Sequence, residues 1–575
     1  MRMTFGWAVI FCWGLALPQR GTAQAAAPAV VHPAFPGGET PLGQEIAGLL
    51  ADPGVSRAHW GIAVTALDGT PVYGVNEGQF FRPASNGKLF TTVAAMAMLG
   101  PEATFTTRVA GEGRLQRGVL HGDLVLRGGG DANFAGGYAL PDVPKAQRPA
   151  GAKGPGLMDF DALAAQVAAA GVREIDGDIV GDDTRFENTM YPPGWAEEDL
   201  LWGYGAPVSA LTVHDNQLVL KITPAPSGKQ AKDMITLEPA VPFYTVNATR
   251  WNGQIAAVYN DDFGGNQVLE ARQPNERDFH VEGDVAARYG AYSDELAIDR
   301  PAEFAAAAFK QALEKMGVVV KGGVRAQHHG SGEENSFLKK AHELPTFTQF
   351  YKMWQEGTTK LGSTLLFTPA YRSTCQAQRA MAAGEVEPEE HALAQKVSVP
   401  LSEDLVLTLK ESQNLHAEMM LRNLGVETDC MSGSLLSTAL AWERAFLTLK
   451  VGLDGGDFEF FDGSGLSTKD LVTPRATAQL LVYASQQPWF APWKAALPVG
   501  GVDGTLSGRF KDAPLKGHVF AKTGTLGESR GLSGYLECAS GRTVVFSIFV
   551  DTHSPVGSAD RAVMDKVVAA VQRRE

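Results

Sequence analysis

Helix and strand patterns of one kind stand at both ends of this chain, and a long stretch of different character lies between them. Near the start, Pro41 to Leu50 has a helical pattern, and Trp60 to Val75 gives two short strands joined at the Asp68-Gly69 hairpin signal. Ser85 then opens a helix whose apolar face carries Leu89, Val93, Ala94, Met96 and Met98, closed by Gly100-Pro101. Helical patterns return from Leu401, with Asn414 to Leu424 ended by Gly425. Beyond them His518 to Ala521, Leu532 to Cys538 and Thr543 to Val550 alternate like strands of an antiparallel sheet, with Ser540-Gly541 as a turn. Ser558 caps a last helix bearing Val563, Val567, Val568 and Val571. These ends predict one α/β domain, residues 40–102 and 396–575, split by a long insertion.

From 103 to 330 the chain turns to short alternating runs with Gly-Asp and Asp-Gly turns, as in Gly118 to Leu126 and Ile175 to Ile179. They predict β-rich inserted domains, with helices at Phe160 to Ala170 and Pro301 to Met316. The 331–395 stretch has no clear strand periodicity and reads as an additional insertion.

Composition narrows the function. Lys+Arg 50 against Asp+Glu 64 gives a formal charge of −14, which leaves no overall electrostatic reason to bind nucleic acid. Met1-Arg2-Met3, the apolar run Thr4 to Pro18 and Thr22-Ala23-Gln24-Ala25 match a secretory signal, residues 1–25, cut after Ala25. The run is shorter than the ~20 residues a bilayer demands, so the mature chain is expected to be exported and soluble. Cys375, Cys430 and Cys538 would remain, an odd number. Cys538 sits in an apolar strand pattern, and pairing of Cys375 with Cys430 stays open. No Cys/His cluster has zinc-ligand spacing, and His328-His329 falls in what reads as a solvated Gly-rich turn. Neither a metal nor a cofactor is expected.

Chemistry concentrates in three short motifs: Ser85-Asn86-Gly87-Lys88, Ser412-Gln413-Asn414 and Lys522-Thr523-Gly524. A second Ser-x-x-Lys, Ser336 to Lys339, follows Gly-Glu-Glu-Asn and soon meets Pro345, which spoils a helix. On a helix, residues i and i+3 share a face about 5–6 Å apart, so Lys88 can reach the Ser85 hydroxyl as its base. A free Lys of pKa ~10.4 is neutral only about once in 2,500 at pH 7, so Lys88 must be depressed. Burial and a second cation, Lys522, are the expected causes. The Ser85 and Thr525 N–H groups would face an oxyanion, and Lys522 with Thr523 would dock a substrate carboxylate. Gly524 would clear space for a substrate backbone, Ser412 would relay a proton to the leaving amine, and Asn414 would hold a substrate carbonyl.

This ordered set is the signature of penicillin-binding proteins and serine β-lactamases. More widely, Arg82 to Lys88, Gly128 to Asp131, Gly181 to Phe186 with Pro192 to Trp195, Ala206 to Leu211, Lys410 to Glu418, Asp462 to Ser467, Asp503 to Leu506, Ala521 to Leu526 and Leu532 to Tyr535 resemble the D-alanyl-D-alanine carboxypeptidase/endopeptidase family of class C low-molecular-mass penicillin-binding proteins. The gap of 412 − 85 = 327 residues between the first two motifs fits that family's inserted domains and not a compact β-lactamase. The resemblance implies a penicillin-binding-protein/β-lactamase-like domain, an antiparallel sheet flanked by helices, with two inserted β-rich domains. Their expected limits are 103–135 with 205–330 for one and 136–204 for the other. It implies a periplasmic serine hydrolase of peptidoglycan stem peptides, acylated and inhibited by β-lactams, with Asp183 and Phe186 as candidates for reading the stem peptide. Two alternatives remain open: a β-lactamase or esterase on the same fold, and a peptidoglycan-binding scaffold without catalysis.

Overall fold

The computed structural model describes residues 32–136, 157–223, 234–248, 267–273, 276–285, 290–329, 367–370, 392–428, 436–554 and 557–575. The segment 1–25 expected to be a leader, Ser336, Cys375 and Cys430 lie outside them, as does the 331–391 stretch but for 367–370. Phe35–Glu575 is one compact unit.

Helix α1 (Pro41–Leu50) has Pro at its first position, and Thr40 caps it by accepting the Gly43 N–H. Strands β1 (His59–Ala66) and β2 (Pro71–Val75) pair through the expected turn, where Gly69 takes φ +86° and Asp68 accepts the Thr70 N–H at 2.9 Å. Ser85 lies on a single 3-10 turn, Ala84–Asn86, so α2 (Gly87–Met98) starts just after the predicted position. Every residue of α2 but Ala97 is buried, which makes it a central helix and not a one-faced one.

In the insertion, β3 (Thr106–Gln116) and β4 (Val119–Arg127) form a hairpin. Helix α3 (Met158–Ala169) leads to β5 (Glu174–Ile175) and β6 (Ile179–Glu187), both parallel to β4. A parallel neighbour requires a crossover, and α3 supplies it. Strands from 136–204, which the sequence assigns to a domain of its own, therefore share a sheet with 106–127. Strands β7 (Gln217–Ile222), β8 (Ile235–Glu238), β9 (Thr245–Asn247), β10 (Gln267–Ala271), β11 (Asp278–Asp284) and β12 (Tyr292–Ala297) make two small sheets, β12-β7-β8 and β10-β11-β9. Helix α4 (Pro301–Lys315) returns the chain to the large sheet, where β13 (Val319–Val320) joins β5 and β14 (Val324–His329) joins β6. His328 and His329 thus end a strand rather than occupy a loop. The seventh strand, β15 (Ala392–Val397), lies antiparallel to β3, so the insertion extends past 395. It is an edge strand with only Ala394 fully inside, which is why its sequence shows no alternation.

The chain then re-enters the first domain through α5 (Leu401–Lys410), α6 (Asn414–Thr428), α7 (Leu436–Phe446), β16 (Phe458–Glu459), β17 (Leu471–Val472), α8 (Pro474–Ser485) and α9 (Phe490–Ala495). Helix α6 runs through Gly425 instead of stopping there, because all of its residues are buried. That packing outweighs the ~1 kcal/mol that a mid-helix glycine costs. Strands β18 (Val519–Leu526), β19 (Ser529–Glu537) and β20 (Thr543–Asp551) precede α10 (Ala559–Arg574). One antiparallel sheet, β18-β19-β20-β1-β2, joins the two ends. Along β20, Val544, Phe546, Ile548 and Val550 pack with α1 and α10, while Val545 and Phe549 pack with α2 and α8. Helices cover both faces of the sheet, which puts β18, its edge, beside the Ser85 turn.

Candidate active site

Four chain regions converge on Lys88, whose side chain is fully buried. Its Nζ lies 2.9 Å from Ser85 Oγ, 2.5 Å from Asn414 Oδ1 and 2.8 Å from the Ser464 carbonyl oxygen. Burial pulls its pKa from 10.5 down to about 7, against the opposing pull of Asp462 and Glu418. Asn414 Oδ1 and Ser464 O only accept and so take two N–H donors in either protonation state; the third position of Nζ faces the Ser85 hydroxyl, to which an ammonium donates and from which a neutral amine accepts.

Lys522 is likewise buried, with Nζ 2.8 Å from Ser412 Oγ and 2.9 Å from its neighbour's carbonyl, Thr523 O. Burial first and the Lys88 charge second push its pKa well below 10.5. Burial, the first of the two expected causes, lowers Lys88, and the repulsion between the two lysines adds to burial in lowering Lys522. The Ser412 hydroxyl meets Lys522 and not Lys88, and Ser412 holds a left-handed φ of +63°, a strained position for a residue with a Cβ. The Asn414 amide is occupied at both ends, because its Nδ2 donates to Tyr204 O at 2.8 Å. Its Oδ1 thus holds the base, and one of the two Nδ2 hydrogens is taken by Tyr204 O.

Gly524 answers a different need from the one its motif suggests. A Cβ there would lie 2.7 Å from Pro83 O and 2.9 Å from Asn86 Nδ2, and a Cβ at Gly531 would lie 2.5 Å from the same Nδ2. The bare positions let the Ser85 turn sit directly on the sheet edge, so neighbouring protein atoms, not a ligand, fill that space. Thr525 is exposed at the end of β18, and Thr523 Oγ1 lies 2.7 Å from Thr505 Oγ1.

The loop 462–467 is the support that motif reading missed. Gly465 has φ +78°, and a Cβ on it would stand 1.8 Å from Ala84 O. Asp462 accepts the N–H groups of Gly465 and Ser467, both at 2.7 Å, and the Trp195 indole N–H at 2.8 Å. Glu418 accepts the N–H groups of Gly463 and Ser464, both at 2.8 Å, so it aims the Ser464 carbonyl at Lys88. Thr468 hydrogen-bonds Gly194 O from the inserted segment through both its N–H and its hydroxyl. Burial raises Glu418 to about 7, Glu443 to about 8 and Asp470 well above the carboxylate range. Lys88 therefore sits above a group of carboxyls that resist ionisation. The Asp-Gly-Ser-Gly-Leu-Ser run was the available signal, a turn sequence with two glycines beside hydrogen-bonding side chains.

Asp183 and Phe186 are engaged elsewhere. Asp183 is buried, takes the Ser209 hydroxyl at 2.9 Å, and pairs with His328 Nδ1 at 2.8 Å, which raises the His328 pKa. Phe186 packs with Ala132, Val208, Ala210, Leu415, Met419 and Val426. Asp183 ties strands within the insertion, while Phe186 packs the insertion against α6 of the catalytic domain. Cys538 is buried, as its strand pattern predicts.

Comparison with known proteins agrees with this architecture. The model of the D-Ala-D-Ala carboxypeptidase 3 (S13) family matches residues 42–366 and 365–571. A D-alanyl-D-alanine carboxypeptidase of Actinomadura sp. (strain R39) is 31% identical over 540 residues, 92% of this chain and 84% of that relative. D-alanyl-D-alanine carboxypeptidase DacB of Haemophilus influenzae is 24% identical over 481 residues, 83% of this chain and 82% of its own length. Penicillin binding protein 4 (dacB) from Haemophilus influenzae has the same fold, with TM-score 0.66 and 22% identity over 92% of this chain and 98% of that one. Its complex with a β-lactam superposes with TM-score 0.60 and 21% identity, at the same shares of the two chains. The chain belongs to the D-Ala-D-Ala carboxypeptidase 3 (S13) family of hydrolases.

Proposed function

We propose that this carboxypeptidase works through an acyl-enzyme on Ser85, acts on peptidoglycan stem peptides ending in D-Ala-D-Ala, and is acylated by β-lactams at the same serine. The observation that carries the reading is the Lys88 arrangement, a fully buried Nζ 2.9 Å from the Ser85 hydroxyl and fixed there by two pure acceptors, Asn414 Oδ1 and Ser464 O. With a pKa of about 7, about half of Lys88 is neutral at pH 7, against about one in three thousand for an exposed lysine at 10.5. That gain of roughly a thousandfold in usable base is comparable with the ~10²–10⁴ that general base catalysis supplies.

In the forward step Lys88 Nζ takes the Ser85 proton while Oγ bonds to the carbonyl carbon of the penultimate D-Ala. The backbone N–H groups of Ser85 and Thr525 stabilise the oxyanion. As the C–N bond breaks, Ser412, hydrogen-bonded to Lys522, gives its hydroxyl proton to the departing amine and takes in its place the proton that Lys88 removed from Ser85, so that both Ser412 and Lys88 end the step neutral. If the amine belongs to a cross-link rather than to terminal D-Ala, the same step is an endopeptidase cleavage. Lys522 and Thr523, backed by Thr505, receive the terminal carboxylate, whose charge favours the Lys522 ammonium. Water then attacks the ester carbonyl, losing a proton to Lys88, which returns it to Ser85 Oγ as the ester C–O bond breaks and the shortened peptide leaves. The leader at 1–25 would deliver the enzyme to the periplasm, where this substrate lies.

The test is mass spectrometry of the purified protein after exposure to penicillin, together with muropeptide digestion. The expected result is an adduct on the peptide carrying Ser85, D-Ala release, and loss of both in Ser85→Ala. A wild-type enzyme that gains no adduct and releases no D-Ala would overturn the reading. Rapid turnover of a chromogenic cephalosporin in place of a lasting adduct would identify a β-lactamase.

A further inference from the structure

The Ser412 turn joins α5 to α6, yet two of its three motif residues are tied to the inserted segment. Gln413 Nε2 donates to Asp215 Oδ2 at 3.2 Å, and Asn414 Nδ2 donates to Tyr204 O at 2.8 Å. The other oxygen of Asp215 meets His416 Nε2 at 3.2 Å. The opposite ring nitrogen, His416 Nδ1, lies 2.5 Å from Asp404 Oδ1, which also accepts Asn133 Nδ2 at 2.7 Å. His416 is fully buried, and Asp215 (3% exposed), Asp404 (8%) and Gln413 (8%) are sealed around it. A histidine with a carboxylate on each nitrogen is an imidazolium, so Asp215 stands in a buried ion pair and not in an incidental contact.

The backbone around Asp215 points to the same purpose. His214, Asp215 and Asn216 all have left-handed φ, at 53°, 58° and 53°, though none is glycine. Such a run persists only where the surroundings over-determine it. Here Asn216 Oδ1 accepts the Val213 N–H at 3.0 Å, its Nδ2 donates to Pro207 O at 2.8 Å, and His214 Nδ1 lies 2.9 Å from Gln217 O. A strained segment from the insertion is thus locked in place and delivers a carboxylate to a strained turn of the catalytic domain.

We propose that Asp215 is a positioning residue, holding the Ser412-Gln413-Asn414 turn through Gln413 and His416 so that Ser412 stays on Lys522 and Asn414 on Lys88. The inserted segment then sets the acylation competence of a site to which it contributes no reacting atom. Ser412 is followed at once by the two tethered residues, which add to the Lys522 contact and to the Gln413 N–H bond on Leu407 O at 3.3 Å in holding its left-handed backbone. The inference rests on the acyl-enzyme reading of Ser85.

The test is a double-mutant cycle of Asp215→Ala and Gln413→Ala in the full chain. It is read by the second-order rate of acylation by penicillin, by kcat and KM on a D-Ala-D-Ala peptide, and by thermal melting. Displacement of a catalytic group by about 1 Å costs on the order of 10²-fold, so each single variant should acylate about 10- to 100-fold more slowly. The fall should lie in kcat, with KM within about threefold of wild type. The double variant should be little slower than the worse single, because both remove one contact. Acylation of Asp215→Ala at the wild-type rate, or losses that multiply in the double variant, would overturn the proposal. If Asp215→Ala does not fold, Gln413→Ala decides alone, since it leaves both His416 carboxylates intact: a slowed rate with an unchanged melt supports positioning, and a wild-type rate overturns it. Failure of the wild type itself to acylate would refute the Ser85 reading instead, so the two failures are distinct.

Discussion

Gly465 offers a direct test of how closely the nucleophile turn is supported. Replacing it with alanine places a Cβ 1.8 Å from Ala84 O, where ordinary contact begins at 3.4 Å, so about 3.4 − 1.8 = 1.6 Å of separation must be created. The left-handed φ of +78° adds a cost of ~1–2 kcal/mol for any residue with a Cβ. Two backbones meet here, so no flexible side chain can yield in their place. If the 84–86 turn retreats, Ser85 leaves Lys88; if the 462–467 loop retreats, Ser464 O leaves Lys88 and takes one of its acceptors away. Either movement exceeds the ~1 Å that costs about 10²-fold in a positioned reaction. Gly465→Ala should therefore acylate with fluorescent penicillin at least 100-fold more slowly, while its melting temperature falls by only a few degrees. Acylation within about twofold of wild type, at an unchanged melting temperature, would refute the claim that this backbone contact sets the base.

Other outcomes follow from the same geometry. Acylation should rise with pH through about 7, where buried Lys88 loses its proton, and a rate that is flat from pH 5.5 to 8.5 (values of roughly 1.5 units either side of that midpoint) counts against Lys88 as base. Lys88→Arg keeps the cation but cannot deprotonate, so stopped-flow with penicillin should show a loss of about 10²-fold or more at every pH. Glu443 is pushed up to about 8 by burial; the unfolded chain ionises it near 4.5 while the folded chain keeps its proton, so stability is lost as pH rises between these values. Glu443→Gln should remove that penalty, on the order of 5 kcal/mol at most, and flatten melting temperature against pH over that window. Thr505→Val leaves the Thr523 hydroxyl without its 2.7 Å partner and should raise KM for a D-Ala-D-Ala peptide about fivefold, the worth of ~1 kcal/mol, with kcat little changed.

The sequence carries those parts of this site that depend on local spacing. Ser85 and Lys88 are one helical turn apart, and their contact at 2.9 Å is what that spacing demands. The sheet that unites the two ends of the chain was legible because alternation in β19 and β20 is local, and the β1–β2 hairpin because Asp68-Gly69 is a turn. What was illegible is non-local. The sharing of one sheet by β4, β5 and β6 rests on a parallel crossover, and β15 is an edge strand with too little burial to imprint a pattern. Gly524 reads naturally as room for a ligand, and only the folded chain shows Pro83 O and Asn86 in that room. The Gln413–Asp215 contact joins residues 198 apart, and no periodicity announces it.

The burial that makes Lys88 a base also concentrates the destabilisation contributed by Lys88, Glu418 and Glu443 near neutral pH. A lysine depressed from 10.5 to about 7 penalises the folded state fully below 7, and the penalty fades as pH climbs toward 10.5. Carboxyls raised from 4.5, Glu418 to about 7 and Glu443 to about 8, do the reverse: they cost nothing in acid, and their penalty grows from 4.5 until those values are passed. The two trends overlap most between pH 7 and 8, where Lys88 is still partly protonated in a site that excludes charge and the acids are already ionised in the unfolded chain. A core of hydrophobic residues in place of this cluster would be more stable at that pH and would lack a base. The loop 462–467, braced by Asp462 and Glu418 through backbone N–H groups, is what keeps so unfavourable a grouping in one geometry. Stabilising substitutions at Glu443 should therefore leave acylation intact as long as the Ser464 carbonyl does not move, whereas those at Glu418, which holds that carbonyl, should trade activity for stability.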